Sequence, residues 1–333
     1  KHLAIKRIRP EFADNPRFVC MFINEAKIGV HLNHPNVVQV YELGRVEGSH
    51  YIAMEHLHGR DLTRLVKTLR AVGERLPLPI AVWVVAEVCR GLAYAHMRAD
   101  SKGQLLGLVH RDVSPHNMLV TFAGEIKLVD FGIARLMHTA AGQSAAEGPA
   151  RPGPGGGKYA YMSPEQAVGK EIDHRTDIFS AGIVLWELIV GHRLYQHPDP
   201  AEKLRRVQEA VIPHPSAEGV EIDDSLWKIL TTALSADTQS RYSSAALFEE
   251  DLRAWLFDTR TRVDRADVAA VMHGAFPQEA GQVPDDLDLQ RMVADVERLD
   301  PRDQTQTSLT PSHHTPSDTP LPGRLRPSVG ERK

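Results

Sequence analysis

The sequence predicts an α+β protein of two unequal lobes, a small strand-rich one followed by a larger helical one, with a polar tail behind them. Three observations predict it. Residues 3–8, LAIKRI, alternate with the period of a half-buried strand, Leu3 and Ile5 to one side and Ala4, Lys6 and Ile8 to the other. Residues 177–191, DIFSAGIVLWELIVG, are apolar nearly all round, which places that helix at the centre of a core. After Pro301 the chain turns to Ser, Thr and Pro (TQTSLTPSHHTPSDTPLPG), too little apolar surface to order itself.

Each element follows from local chemistry. NPRFVCMFINEAKIGVHLNHPN (15–36) is predicted as a helix, with Asn15 as N-cap, Pro16 in the first turn and Pro35 as the stop. VVQVYEL (37–43) and SHYIAMEHL (49–57) are predicted strands. From about residue 59 the pattern turns helical, most clearly in IAVWVVAEVCRGLAYAH (80–96). Within this half MLV (118–120) and IKLV (126–129) form a hairpin turned at Ala123–Gly124–Glu125. Residues 139–157, TAAGQSAAEGPARPGPGGG, are predicted to be a mobile loop. Further helices run to about Asp258, and VDRADVAAVMHGAF (263–276) and LDLQRMVADVERL (287–299) are two appended ones. The expected divisions are 1–57, 58–258, 259–300 and a disordered 301–333.

Bulk properties narrow the classes. The 333 residues suffice for a sizeable core, and a formal net charge of −4 lacks the clustered basic footprint of a nucleic-acid binder. Cys20 and Cys89 build neither a disulfide framework nor a cysteine metal site, so a reducing cytoplasm is the expected compartment. No apolar run is expected to span a membrane; AVWVVAEV (81–88) is too short. The chain starts at Lys1 inside a strand, so it is expected to be a piece of a longer protein.

The hairpin concentrates the chemistry. Asn117 enters its first strand and Asp130 leaves its second, so the two side chains come to one end. An amide oxygen beside a carboxylate suits Mg²⁺, which takes hard oxygen ligands and substrate phosphates. Asp112, five residues before Asn117, lies on the feeding loop within reach of a nucleophile. On the helix, Glu25 shares a face with Phe18, Met21, Ile28 and Leu32, and a carboxylate in such a stripe needs a cation, for which Lys6 is the candidate.

Taken together, LAIK (3–6), HRDVSPHN (110–117), DFG (130–132), SPE (163–165) and DIFSAG (177–182) resemble, in order and spacing, the motifs of eukaryotic-type (Hanks) protein kinases of the bacterial Ser/Thr style, over about Leu3 to Asp258. The resemblance implies a two-lobed kinase-like fold that transfers the γ-phosphate of ATP, with Mg²⁺ or Mn²⁺, to protein hydroxyls. Lys6 would hold the α/β-phosphates and pair with Glu25. Ala4, Val38, Leu119 and Val129 would line the adenine slot, Met54 would be its gatekeeper, and Glu55 and Leu57 its hinge. Asp112 would accept the hydroxyl proton, and Asn117 and Asp130 would hold the metal. Glu165 would pair with Arg241, and Asp177 would brace the catalytic loop. The implied partners are ATP and protein substrates, the chain itself among them, with no nucleic acid and no membrane segment.

Three departures bear on activity. The family's glycine-rich phosphate loop precedes the first residue here, a truncation expected to weaken ATP binding. Ser114 stands where the family has lysine, and Lys158, in GKYAYMSPE, stands where it usually has threonine. Charge position governs phosphoryl transfer, so the expectation is that Lys158 supplies the displaced charge, worth about 3–4 kcal/mol, while Ser114 takes the hydroxyl role. Arg111 next to Asp112 resembles kinases switched by activation-loop phosphorylation, with Thr139 and Ser144 as available hydroxyls; Thr310, Thr315 and Thr319 each precede proline in the tail. The competing readings are a pseudokinase scaffold, argued by Ser114, and a small-molecule phosphotransferase, which would not need the peptide-receiving SPE platform.

Overall fold

In the computed structural model, the described residues are 2–46, 49–131 and 160–281. Lys158, Gly132, Thr139, Ser144, the 139–157 segment, the 287–299 helix and the tail with Thr310, Thr315 and Thr319 lie outside them.

The small lobe contains strand β1 (Leu3–Arg7), helix α1 (Pro16–Gly29) and strands β2 (Val40–Val46) and β3 (Ser49–Glu55). The sheet is antiparallel in the order β1-β3-β2, and its register sets Ala4 opposite Met54 and Lys6 opposite Ile52. Asn15 occupies the N-cap position, its carbonyl accepting the first helical bond from Val19 N at 3.1 Å. The helix ends at Gly29, short of Pro35. A Cβ at Gly29 would lie 2.6 Å from Val40 Cγ2, so the glycine is what lets helix and sheet close up. The apolar stripe differs from the expected one: Phe22 and Ala26 join Ile8, Val40 and Ile52 in the lobe's core, while Phe18 is exposed against Phe12 and Leu32 belongs to the large-lobe core. Glu25 therefore sits at the edge of the buried stripe.

The large lobe opens with a strand, β4 (Gly59–Asp61), where a helix was expected. Gly59 makes this possible, because a Cβ there would meet the Val120 carbonyl oxygen at 2.2 Å. Asp61 then caps helix α2 (Leu62–Ala71) through a bond from Arg64 N, and α3 (Leu78–His96) follows. Strands β5 (Met118–Thr121) and β6 (Ile126–Leu128) form the expected hairpin, turned at Gly124 (φ 76°), and the sheet order is β4-β5-β6. Helices α4 (Pro164–Ala167), α5 (Arg175–Val190), α6 (Pro200–Gln208), α7 (Asp224–Ala233) and α8 (Ala245–Asp258) complete the lobe. The central α5 is buried along its length, and α3 packs against both α5 and α8. Contrary to expectation, α3 is long and apolar enough to cross a bilayer, with a mean hydropathy of 1.5 over its window. That window is 72% buried, however, as suits a core helix.

Val37 and Val38, expected to begin a small-lobe strand, instead lie with Asn36 against β6: Leu128 N donates to Asn36 O (2.9 Å) and Val38 N to Leu128 O (2.8 Å). The connector is thus stitched into the large lobe before the chain turns into β2. Two further helices, α9 (Arg265–Ala275) and α10 (Pro277–Ala280), dock beside β4 and β5. Phe276 is buried edge-on to Phe122, and His273 Nε2 approaches Phe122 O at 3.1 Å. Glu279 pairs with Arg60 of β4. Truncating Phe276 to Ala should cost about 3 kcal/mol, as emptying a buried aromatic site does, read as a lower urea midpoint with an unchanged slope.

Candidate active site

The catalytic loop is shaped by a carboxylate with no solvent exposure. Asp177, in the first turn of α5, accepts from His110 N and Arg111 N at 2.8 Å each, and its Oδ2 lies 2.8 Å from His96 Nε2. Arg111 is held in the left-handed region (φ 65°), a conformation of order 1–2 kcal/mol above the usual one for a non-glycine residue. Both backbone donors on one buried anion hold it there. Burial pushes the Asp177 carboxyl up, but the donors around it outweigh that, and it stays below its ordinary value.

Beyond this turn Asp112 is half-buried and clamped by Asn117, whose Nδ2 donates to Asp112 O (2.8 Å) and Oδ2 (3.0 Å). Asn117 O in turn accepts from Val129 N at 3.0 Å, and His110 Nε2 lies 3.1 Å from Val129 O. Asp112 and the end of the hairpin are thereby one bonded unit. Asp130 follows with φ 55°, and the Phe131 ring packs at 4.6 Å from His110. From the opposite lobe Lys6 Nζ reaches Glu25 Oε1 and Asp130 Oδ1, each at 2.8 Å. Burial alone would lower the Lys6 pKa, yet the two carboxylates hold it above its usual range. The Glu25 carboxyl is raised by burial despite its partner.

Ala4 and Met54 face one another across β1 and β3, both half-buried, with Leu119 and Val129 half-buried on the other lobe and Val38 nearly covered on the connector. Leu57 is buried between β3 and β4. Glu55 does more than bear hinge backbone groups. Its Oε1 accepts from Lys127 Nζ and from Gln39 N, both at 2.8 Å, tying the hinge to β6. Sequence reasoning missed Lys127, because a lysine in an alternating strand looks solvent-facing; it also missed Asn36, whose Nδ2 donates to Glu87 Oε2 at 2.7 Å and Ile126 O at 3.1 Å. Glu87 also accepts from Arg253 of α8 at 2.7 Å.

Glu165 and Arg241 form the expected pair, fork to fork at 2.8 and 3.1 Å, and Ser163 closes a capping box over α4. Burial raises the Glu165 carboxyl and Arg241 more than reverses it, leaving it lowered. Ser114 is 6% exposed, between the buried Val113 and Pro115. The donor set fits a hard cation bound together with phosphates: Asn117 spends its nitrogen on Asp112, leaving the amide oxygen for a metal, and Asp130 is adjacent through Val129. Among the described residues no cluster of three or more His, Cys, Asp or Glu could hold a metal by itself.

A lysine held by a small-lobe glutamate and reaching Asp130 across the lobes, a clamped aspartate and a metal-suited Asn/Asp pair define a phosphotransferase of the two-lobed kinase type. The chain belongs to the protein kinase domain family, whose model matches residues 1–252. It is 36% identical over 286 residues to the tyrosine-protein kinase MasK of Myxococcus xanthus, covering 84% of this chain and 42% of that protein. It is 34% identical over 261 residues to the serine/threonine-protein kinase PknB of Mycobacterium leprae, covering 76% and 38%. The solved PknI kinase domain of Mycobacterium tuberculosis superposes with a TM-score of 0.54 at 26% identity, over 76% of this chain and 84% of that one. The chain spans about two-fifths of the length of the curated relatives it matches.

Acid titration should report these carboxylates. With Asp177 and Glu165 lowered, the unfolded chain binds more protons than the native one, so their stabilisation is full above about pH 5 and drains away below it. Glu187 runs the other way. Burial pushes it up to about 7 despite bonds from Tyr161 Oη (2.6 Å) and Leu194 N (3.0 Å), so stability falls as pH rises from about 4.5 towards 7. Glu187→Gln should flatten that upper slope in urea melts run across the range.

Proposed function

We propose that the chain is the catalytic part of an ATP-dependent protein kinase that phosphorylates Ser/Thr hydroxyls, in signalling and with itself among its substrates. The observation that supports this most is Lys6 bonded at once to Glu25 and Asp130, while Asn117 clamps Asp112. These groups span both lobes, and a mere scaffold needs none of them. Ala4, Val38, Met54, Leu119 and Val129 would enclose adenine, with Glu55 and Leu57 presenting backbone groups to its edge. Lys6 would turn from Asp130 to the α/β-phosphates, kept in place by Glu25.

Asn117 and Asp130 would hold Mg²⁺, which neutralises the β/γ-phosphate charge when bound; Mn²⁺ has the same ligand preferences. Asp112 orients the acceptor hydroxyl and takes its proton as the new oxygen–phosphorus bond forms and the bond to the β-phosphate oxygen breaks, leaving ADP. Lys158 would supply the charge that Ser114 lacks, close to the transferring phosphoryl. Phosphate on Thr139 or Ser144 would order its segment against Arg111. Two free thiols suit a reducing cytoplasm.

In a radiolabelled-ATP assay on the full-length protein, Asp112→Asn should lower turnover by about 10²–10⁴-fold, the usual range for a general base. Phosphoamino-acid analysis should return phosphoserine and phosphothreonine. Phosphotyrosine alone would overturn the specificity and favour the kind of acceptor that the name of the Myxococcus relative implies. Lys158→Ala should cost about 10²–10³-fold, and unchanged turnover rejects its role.

A further inference from the structure

The residues assigned to phosphoryl transfer leave unused two exposed cations around the turn that follows Asp112. That turn, Pro115–Asn117, begins three residues after Asp112 and carries His116, which burial keeps on the neutral side. Asp61, Arg193, Lys67 and Asp112 all act on His116. Lys67 belongs to α2, which packs on this turn, and Arg193 to the loop after α5; both are exposed. Arg193 also acts on Tyr161, Glu187 and Lys203, so it stands where these elements meet. Cations from two separate elements therefore flank the turn that follows the proposed base.

The same two elements carry the charge outward. A cavity of about 250 Å³ lies between α2 and the end of α5, with Leu69 and Leu188 in its lining and Arg70, Arg75 and His192 around it. Lys67 and Arg70 are one helical turn apart, and His192 immediately precedes Arg193. The nearby acids are few and engaged: Asp61 caps α2 and approaches His116 Nδ1 at 4.0 Å, Glu218 lies 3.0 Å from His192 Nε2, and Glu187 is buried under Tyr161. Among the described residues only Glu74 adds an exposed carboxylate to the cavity wall.

We propose that this face selects the substrate: acceptor hydroxyls set in acidic stretches of polypeptide, whose carboxylates meet Lys67 and Arg193 and whose further apolar and acidic residues reach the cavity with its Arg70 and Arg75. The inference rests on the protein-kinase reading and adds the substrate class to it. Exposed charge pairs contribute little singly, but several acting on one segment steer encounter and discriminate against basic flanks.

The test uses the full-length protein and equal-length peptides with one acceptor flanked by Glu, by Ala or by Lys. The acidic peptide should exceed the basic one in kcat/KM by on the order of tenfold, and the margin should shrink with added salt. Lys67→Glu combined with Arg193→Glu should invert the order at an unchanged melting temperature. Phosphorylation of the Ala peptide with no acidic preference would overturn the selectivity and leave the kinase reading intact. Absence of transfer to every peptide and to the chain itself would remove both.

Discussion

The fold and its chemistry depend on a single buried anion. Asp177 lies inside the large lobe, where an unpaired carboxylate would be prohibitively unstable, and it is satisfied only by the backbone of the catalytic loop and one histidine. That demand works in both directions. The loop supplies the donors the anion requires, and the anion supplies the constraint that keeps Arg111 in a conformation it would otherwise abandon. Asp112 comes next in the chain, so its direction is set by a core helix rather than by a surface loop. A carboxylate placed in this way is pre-positioned before any ligand arrives.

The opposing lobe is joined to this platform by few but strong contacts. Lys6 meets Asp130 across the cleft, Glu55 meets Lys127 at the hinge, and Asn36 is shared between the connector and the hairpin. Each is a charged or amide group whose partner belongs to a different element. The glycine at position 29 serves the same arrangement, since it seats the helix bearing Glu25 close enough for the carboxylate to reach Lys6.

Much of this was legible in the order of residues. The strand with Lys6, the hairpin between Asn117 and Asp130 and the buried helix from 177 follow from local period and turn chemistry, and the Glu165–Arg241 pair from the resemblance to the kinase family. What escaped depends on contacts between distant segments. Asn36 and Lys127 are ordinary polar residues until the hairpin is laid against the connector. Val37 and Val38 have strand-like side chains, yet nothing local says that they pair with β6 rather than β3. The stripe on α1 was misjudged because Glu25 borders the core instead of lying within it. The short β4 was hidden by its length and by Gly59, whose value is only apparent next to Val120.

The docked pair α9 and α10 lies beyond the family match, which ends at residue 252. Gly124, at the tip of the hairpin, has no room for a Cβ because the Arg265 carbonyl oxygen would be 1.9 Å away, and Arg60 of the strand after the hinge is bound to Glu279. The hinge is therefore buttressed from outside the conserved unit. An excised domain cut at the family boundary would bare Phe122 and loosen the strand that carries Leu119, so its behaviour would describe an unbraced sheet rather than the native one.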